Sequence, residues 1–252
     1  MILITRPKIE AKQFAKELGK KNIKSIIDSV IKFVPQKRNI GLSHNKIFII
    51  TSSQSVKSIN KYRKSYCNIL NEGSFFVVGE QVYKNLKNIG AQKIKYKFSD
   101  TRELLRKLNS LRKNQAAIKY EYLCGSQINN NFVKQCKHNK ITIKKTILYK
   151  TIPANKLKSK TIQTIKRGEI EFLTFFSIYT AKTFFKLIRK HKLINDISQN
   201  DIYIMCLSKR ISNYILCKEK FILKSRLKWS PKPTQNALIM SIYSLKKIKK
   251  RF

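Results

Sequence analysis

Short apolar runs alternate along this chain with segments whose apolar residues return every three or four positions. That is the alternation of strands handing over to crossover helices. The first run, ILIT (2–5), leads into IEAKQFAKELGKK, where Ile9, Phe14 and Leu18 recur at helical spacing and Gly19 stands where a helix would end. The unit then repeats. KIFIIT (46–51) precedes SSQSVKSINKYRK, SFFVVG (74–79) precedes EQVYKNLKNIG, and KIKYKF (93–98) precedes SDTRELLRKLNSL. Each strand passes to its helix through small or polar residues, so the pattern predicts an α/β fold with parallel sheets flanked by helices.

The second half restates the order of the first. YEYLCGS (120–126) parallels ILITRP, and ITIKKTILYKT (141–151) parallels IKSIIDSVIKF (23–33). EFLTFFSIYTA (171–181) parallels IFIITSSQSV, aligning Ser52 with Ser177 and Ser55 with Thr180, while DIYIMCLS (201–208) parallels SFFVVG. FILKSR (221–226) followed by PTQNALIMSI parallels KIKYKFSDTRELL. The offset stays between roughly 117 and 133 residues, about one α/β domain. Two similar domains descended from a duplication follow, and repetition alone puts a single boundary near residue 117.

Composition adds one unusual feature. The 252 residues, 42% hydrophobic, suffice for one large domain or two of ordinary size. Lys and Arg number 55 against 13 Asp and Glu, a formal net charge of +42. Such a charge fits a polyanionic partner, but the lysines are dispersed, Ile and Asn are also abundant, and Gly, Pro and Ala are scarce, as compositional drift would leave them. Only KKIKKRF at the C terminus reads as a basic run. Cys67, Cys124, Cys136, Cys206 and Cys217 include no C-x-x-C pair, and His44, His138 and His191 stand apart, so neither a disulfide framework nor a metal site is expected. No signal-peptide pattern opens the chain, and Glu171 and Lys182 interrupt its longest apolar run. A cytoplasmic protein with no membrane partner is the expectation.

The strand ends carry the candidate chemistry. In parallel sheets ligands gather at the carboxyl ends of strands, where the next helix begins. Thr51, Ser52 and Ser53 lie at such an end, and Ser177, Tyr179 and Thr180 at another. Their hydroxyls can cap the helix or bind a ligand's oxygen, and both readings stand. Gly79 is a place where backbone could approach a ligand closely. A dinucleotide fingerprint, a Walker A sequence, a paired-carboxylate signature and a G-x-S-x-G elbow are all missing from the sequence. An enzyme built from this sequence would therefore need little acid or base assistance.

Taken in order, ILITRP, IFIITSSQSV, FFVVGEQVYKNLKNIG, YLCGS, ILYKTIP, FLTFFSIYTAKTF, the strand ending MCLS, and PTQNAL resemble the uroporphyrinogen-III synthase family across nearly the whole chain. No single piece is specific; the likeness lies in eight of them in register. It implies a lyase of haem biosynthesis that closes hydroxymethylbilane with inversion of its last ring and loss of water, without cofactor or metal. It also implies two α/β domains joined by two extended linker strands, with the active site in the cleft between them. Domain 1 would be residues 1–34 plus 152–252, and domain 2 an insertion of residues 37–148, with linkers about 30–37 and 147–153. A monomer receiving its substrate from hydroxymethylbilane synthase is the family expectation.

By the same resemblance Tyr149 matches a linker tyrosine that hydrogen-bonds the departing hydroxyl. Thr51, Ser52, Ser53, Gly79, Ser126, Ser177, Tyr179 and Ser208 match cleft-facing turn positions, and Arg6 could meet one of the substrate's eight carboxylates. Departures are Val82, after VVG, and the bulky pair Lys209 and Arg210, after the strand ending at Ser208. Two rivals are carried: a basic nucleic-acid-binding protein, although no helix-turn-helix, zinc-finger or RNA-binding signature is found and Phe175, Phe176, Phe184 and Phe185 read as core; and a non-catalytic relic of the synthase fold.

Overall fold

The computed structural model describes residues 1–114, 118–128 and 130–249. The end of the basic C-terminal run, residues 250–252, lies outside them. In chain order, β1 (Ile2–Ile4), α1 (Lys8–Gly19), β2 (Ser25–Ile27) and β3 (Ile31–Pro35) lead into β4 (Lys46–Ile50), α2 (Ser53–Lys61), α3 (Cys67–Glu72), β5 (Ser74–Val78), α4 (Glu80–Asn88), β6 (Lys93–Phe98), α5 (Thr101–Asn114), β7 (Lys119–Gly125), α6 (Asn130–His138) and β8 (Ile143–Pro153). Then come α7 (Ser159–Lys166), β9 (Phe172–Phe175), α8 (Ile178–Lys190), α9 (Ile194–Gln199), β10 (Tyr203–Cys206), α10 (Lys209–Lys218), β11 (Leu227–Trp229) and α11 (Gln235–Lys249).

The chain divides into two compact units, Met1–Lys32 with Ile152–Phe252, and Phe33–Thr151. The break in sequence repetition near residue 117 is therefore not a break in space, because β7 pairs with β4 in one sheet. The first unit is built on the order β11-β10-β9-β1-β2 and the second on β3-β8-β7-β4-β5-β6. The first sheet is parallel throughout, as is the second from β8 to β6. Among the described residues only β3 runs against its neighbour: Ala154 N donates to Val30 O at 2.8 Å and Gln36 N to Leu148 O at 2.7 Å, so rising residues on one strand meet falling residues on the other. The stretch read as the second linker is thus the latter half of β8, whose earlier part pairs with β7.

The order β2-β1-β9-β10-β11 in the first unit corresponds strand for strand to β8-β7-β4-β5-β6 in the second, and the first four pairs are those that the sequence repetition matched; FILKSR (221–226), matched to β6, is instead a turn and a short 3-10 stretch, and β11 begins at Leu227. Each sheet has one switch point, between β1 and β9 and between β7 and β4. There, successive connections leave in opposite directions and a crevice opens at the carboxyl ends.

Burial follows the pattern of residues. Ile2, Leu3 and Ile4 are all 0% exposed, as a central strand covered on both faces requires. In β4, Phe48 and Ile50 face Val56, Ile59, Val82 and Leu86 of α2 and α4, while Ile47 and Ile49 face Leu104, Leu108, Phe132 and Cys136 of α5 and α6. In the first unit α1 and α11 cover one face through Phe14, Leu18, Leu238 and Ile242. Phe175, Phe184 and Phe185 are fully buried and packed on one another, and Phe176 is half-buried. One expectation about α1 is corrected. Ile9 is 65% exposed, because five residues before Phe14 is about 140° round the helix, and Ala11 completes the buried face instead. Gly19 ends the helix as expected, and the left-handed turn that follows is made by Asn22 at φ 56°.

Candidate functional site

In the second unit, the carboxyl edge at the β4/β7 switch point gathers a cluster of hydroxyls and phenols. Ser52 precedes α2 in extended conformation, and its Oγ accepts from Gln54 N at 3.2 Å, capping the helix. The same Oγ lies 3.1 Å from the Tyr149 hydroxyl. Beside it, Thr51 Oγ1 is 2.8 Å from the Tyr122 hydroxyl. Adjacent residues at one strand end therefore each hold a tyrosine from a different strand. Ser53 opens α2 half-buried, and its hydroxyl has no hydrogen bond among the described residues.

Tyr149 is fixed by its surroundings. Between Cys124 and Gly125 the β7/β8 register shifts, so Gly125 stands opposite Tyr149, and a Cβ added at Gly125 would meet the ring at 2.3 Å. Phe33 packs against the other side edge-on, with ring centroids 5.4 Å apart. Ser126 is engaged in the strand: its N donates to Tyr149 O at 2.9 Å and its Oγ accepts from Thr151 N at 3.0 Å. Gly79 precedes α4 at φ 94°, with open space where a side chain would be. Val82, which sequence placed among the ligand-facing departures, is 7% exposed and belongs to the core.

Burial sets the protonation of this cluster. It pushes the Tyr149 phenol above the ordinary tyrosine range, with the Ser52 bond pulling the other way. Burial likewise pushes Tyr122 up to about 12 against the opposing bond from Thr51. Both phenols are neutral at physiological pH and act as hydrogen-bond donors or acceptors, not as bases. A reaction step that needs the Tyr149 proton should therefore show no alkaline loss from this group below about pH 10, as a pH profile of the turnover rate would reveal.

The first unit's carboxyl edge is cationic. At the β1/β9 switch point Arg6 lays its guanidinium 3.9 Å above the Phe176 ring and donates through Nη1 to Gln235 Oε1 at 2.8 Å. Its Nε is buried without a partner, and burial lowers its pKa against the opposing influence of Glu10, although a guanidinium remains charged. Arg6 is thus a stacked, partly buried cation at the strand end. Ser177 caps α8, with Oγ accepting from Thr180 N at 3.1 Å and lying 2.8 Å from Thr180 Oγ1. Tyr179 is half-buried and lines a pocket of about 320 Å³ with Pro153, Lys182 and Lys186. Ser208 precedes α10 without capping it through its side chain.

The candidate residues thus fall into two sets, each at the carboxyl edge of its own sheet. Sequence reasoning missed Tyr122, Gly125 and Gln235. The alternating tyrosines of β7 and the glycine closing YLCGS were the available signals. Among the described residues there is no group of His, Cys, Asp or Glu able to hold a metal ion, and no helix long and apolar enough to cross a membrane.

The family model described as uroporphyrinogen-III synthase HemD matches residues 12–238. Of solved structures, uroporphyrinogen-III synthetase from Helicobacter pylori superposes with a TM-score of 0.65 at 16% identity, covering 88% of this chain and 93% of that one. A mutant uroporphyrinogen III synthase from the extremely thermophilic bacterium Thermus thermophilus superposes with a TM-score of 0.57 at 11% identity, covering 98% of each chain. No curated protein matches at a significant level. At these identities the structural likeness is one of fold.

Proposed function

Because the chain belongs to the uroporphyrinogen-III synthase family, we propose that it closes hydroxymethylbilane to uroporphyrinogen III with inversion of the last ring and release of water. The observation that carries this reading is the Tyr149–Ser52 pair at a switch point, with the phenol held neutral by burial. Ser52 can donate its hydroxyl hydrogen to the Tyr149 oxygen while its Oγ accepts from Gln54 N, and in that arrangement the phenolic hydrogen is free for a substrate oxygen. Tyr149 then donates to the departing hydroxyl. The C–O bond breaks, water leaves, and the electrophilic azafulvene is attacked by the last ring through a spiro intermediate, which rearranges to the inverted macrocycle.

Closure without inversion needs no catalyst, so holding one folded conformer is the larger part of the task. The substrate's carboxylates suit the available donors, the guanidinium of Arg6 and the free hydroxyl of Ser53, while Gly79, whose N–H is taken by Phe98 O, offers only room. The net charge of +42 would draw such a polyanion in, and kcat/KM should fall as ionic strength rises. Tyr149→Phe removes only the phenolic oxygen. It is expected to slow type III formation at least tenfold, measured by separating the oxidised isomers. A parental rate would take Tyr149 out of the reaction.

A further inference from the structure

Along the first unit's carboxyl edge, beyond the Arg6 switch point, stands a feature that the family reading leaves without a role. Trp229, the chain's single tryptophan, ends β11 and is 44% exposed. The register Cys206↔Trp229 puts it at the same edge as the turn that follows β10. From that turn Lys209, the first residue of α10, places its Nζ 5.7 Å from the Trp229 ring centroid. Arg210 and Lys232 are exposed nearby in sequence, and no acidic partner of Lys209 is found among the described residues. An indole of this area left in water forgoes burial that every other edge-strand residue of β11 obtains in part.

We propose that Trp229 and Lys209 form a subsite for one carboxylate-bearing pyrrole ring of the substrate, the indole stacking on the ring and the ammonium meeting its carboxylate. The inference rests on the synthase reading and deepens it. An aromatic ring selects a flat ring for its open face, and a cation held over its other face on a flexible stem selects an acidic substituent at the ring's rim, so together they ask for an anionic aromatic ligand. The spacing suits a long substrate. Three strand intervals of about 4.8 Å separate β1 from β11, which puts the subsite roughly 14 Å from the Arg6 strand. Arg6 and Lys209 would then take carboxylates from different rings of one linear tetrapyrrole. On this account the Lys209 departure from the family pattern supplies a contact in place of the one it removes.

The lone tryptophan makes the test specific. Titration with uroporphyrin III, the oxidised product, should quench its emission saturably, and Lys209→Gln should weaken that binding roughly fivefold while leaving the fold intact by circular dichroism. In turnover, Trp229→Leu and Lys209→Gln should each raise KM for hydroxymethylbilane several-fold with kcat within about twofold, and Trp229→Phe should restore most of the loss. A parental KM in Lys209→Gln together with unquenched emission overturns the subsite and leaves the synthase reading standing. Failure of the folded parent to form any type III isomer overturns the synthase reading, and the subsite falls with it.

Discussion

Gly125→Ala is expected to lower type III formation by about a hundredfold while leaving the protein folded. The backbone there tolerates any residue, so the effect is steric. The new Cβ would stand 2.3 and 2.4 Å from two carbons of the Tyr149 ring and 2.6 Å from its hydroxyl oxygen, all far inside van der Waals contact. Tyr149 is the group that must move, since β7 is locked between β4 and β8. Moving it breaks the bond to Ser52 and takes the phenol away from the position that Phe33 and Gly125 define. A displacement of about 1 Å can cost a hundredfold in rate, and the overpacking itself costs about 1–3 kcal/mol of stability. Gly19→Ala is the control. Nothing stands within 4 Å of that Cβ position at the end of α1, so this change should leave the rate unaltered and stabilise the helix by about 0.5–1 kcal/mol. A Gly125→Ala protein working at the parental rate would mean that the Tyr149 position carries no catalytic consequence.

Glu121→Ala should cause a large loss of stability, about 3–5 kcal/mol, read as a fall of roughly 10 °C in melting temperature or a lower urea midpoint. Glu121 lies in β7 at 1% exposure and accepts from Thr146 Oγ1 at 2.6 Å. Lys46 Nζ is 3.2 Å from Oε2, an ion pair by distance, although that oxygen lacks an aligned hydrogen bond. Lys144, 3.9 Å from Oε1 and mostly exposed, adds little. Removing the carboxylate leaves the Thr146 hydroxyl without its acceptor and the Lys46 ammonium, itself only 14% exposed, with the Gly41 carbonyl but no countercharge beside it. Glu121→Gln keeps an acceptor for Thr146 and should cost less. Equal stability of the alanine variant and the parent would show that Lys46 escapes to solvent without penalty.

The fold class was readable in the sequence because its strands are continuous apolar runs. ILI of β1 and FLTF of β9 are buried on both faces, and the helices after them carry apolar residues at a steady period. The likeness of the two units was readable too, since four of the repeated segments occupy corresponding strands of the two sheets, but the order of strands within a sheet was not. What the sequence does not contain is register. The contact between Thr51 and Tyr122 depends on how β4 meets β7, and Gly125 comes to face Tyr149 only through an irregularity between β7 and β8. Arg6 was visible as a cation at a strand end, but its stacking on Phe176 and its bond to Gln235 join residues about 170 and 229 positions apart. Ser126 was legible as a turn hydroxyl, yet the strand uses that hydroxyl to anchor Thr151 N. Ile9 was misplaced for a smaller reason: the face of a twelve-residue helix is set by which residues the sheet can reach, and Ala11 fits where a longer side chain was expected.

The most direct test of the central claim is the isomer composition formed when hydroxymethylbilane is generated in the presence of the purified protein. Oxidised to uroporphyrins and separated chromatographically, the products should show an excess of isomer III that grows with protein concentration. Isomer I alone, from protein shown to be folded, would contradict the account.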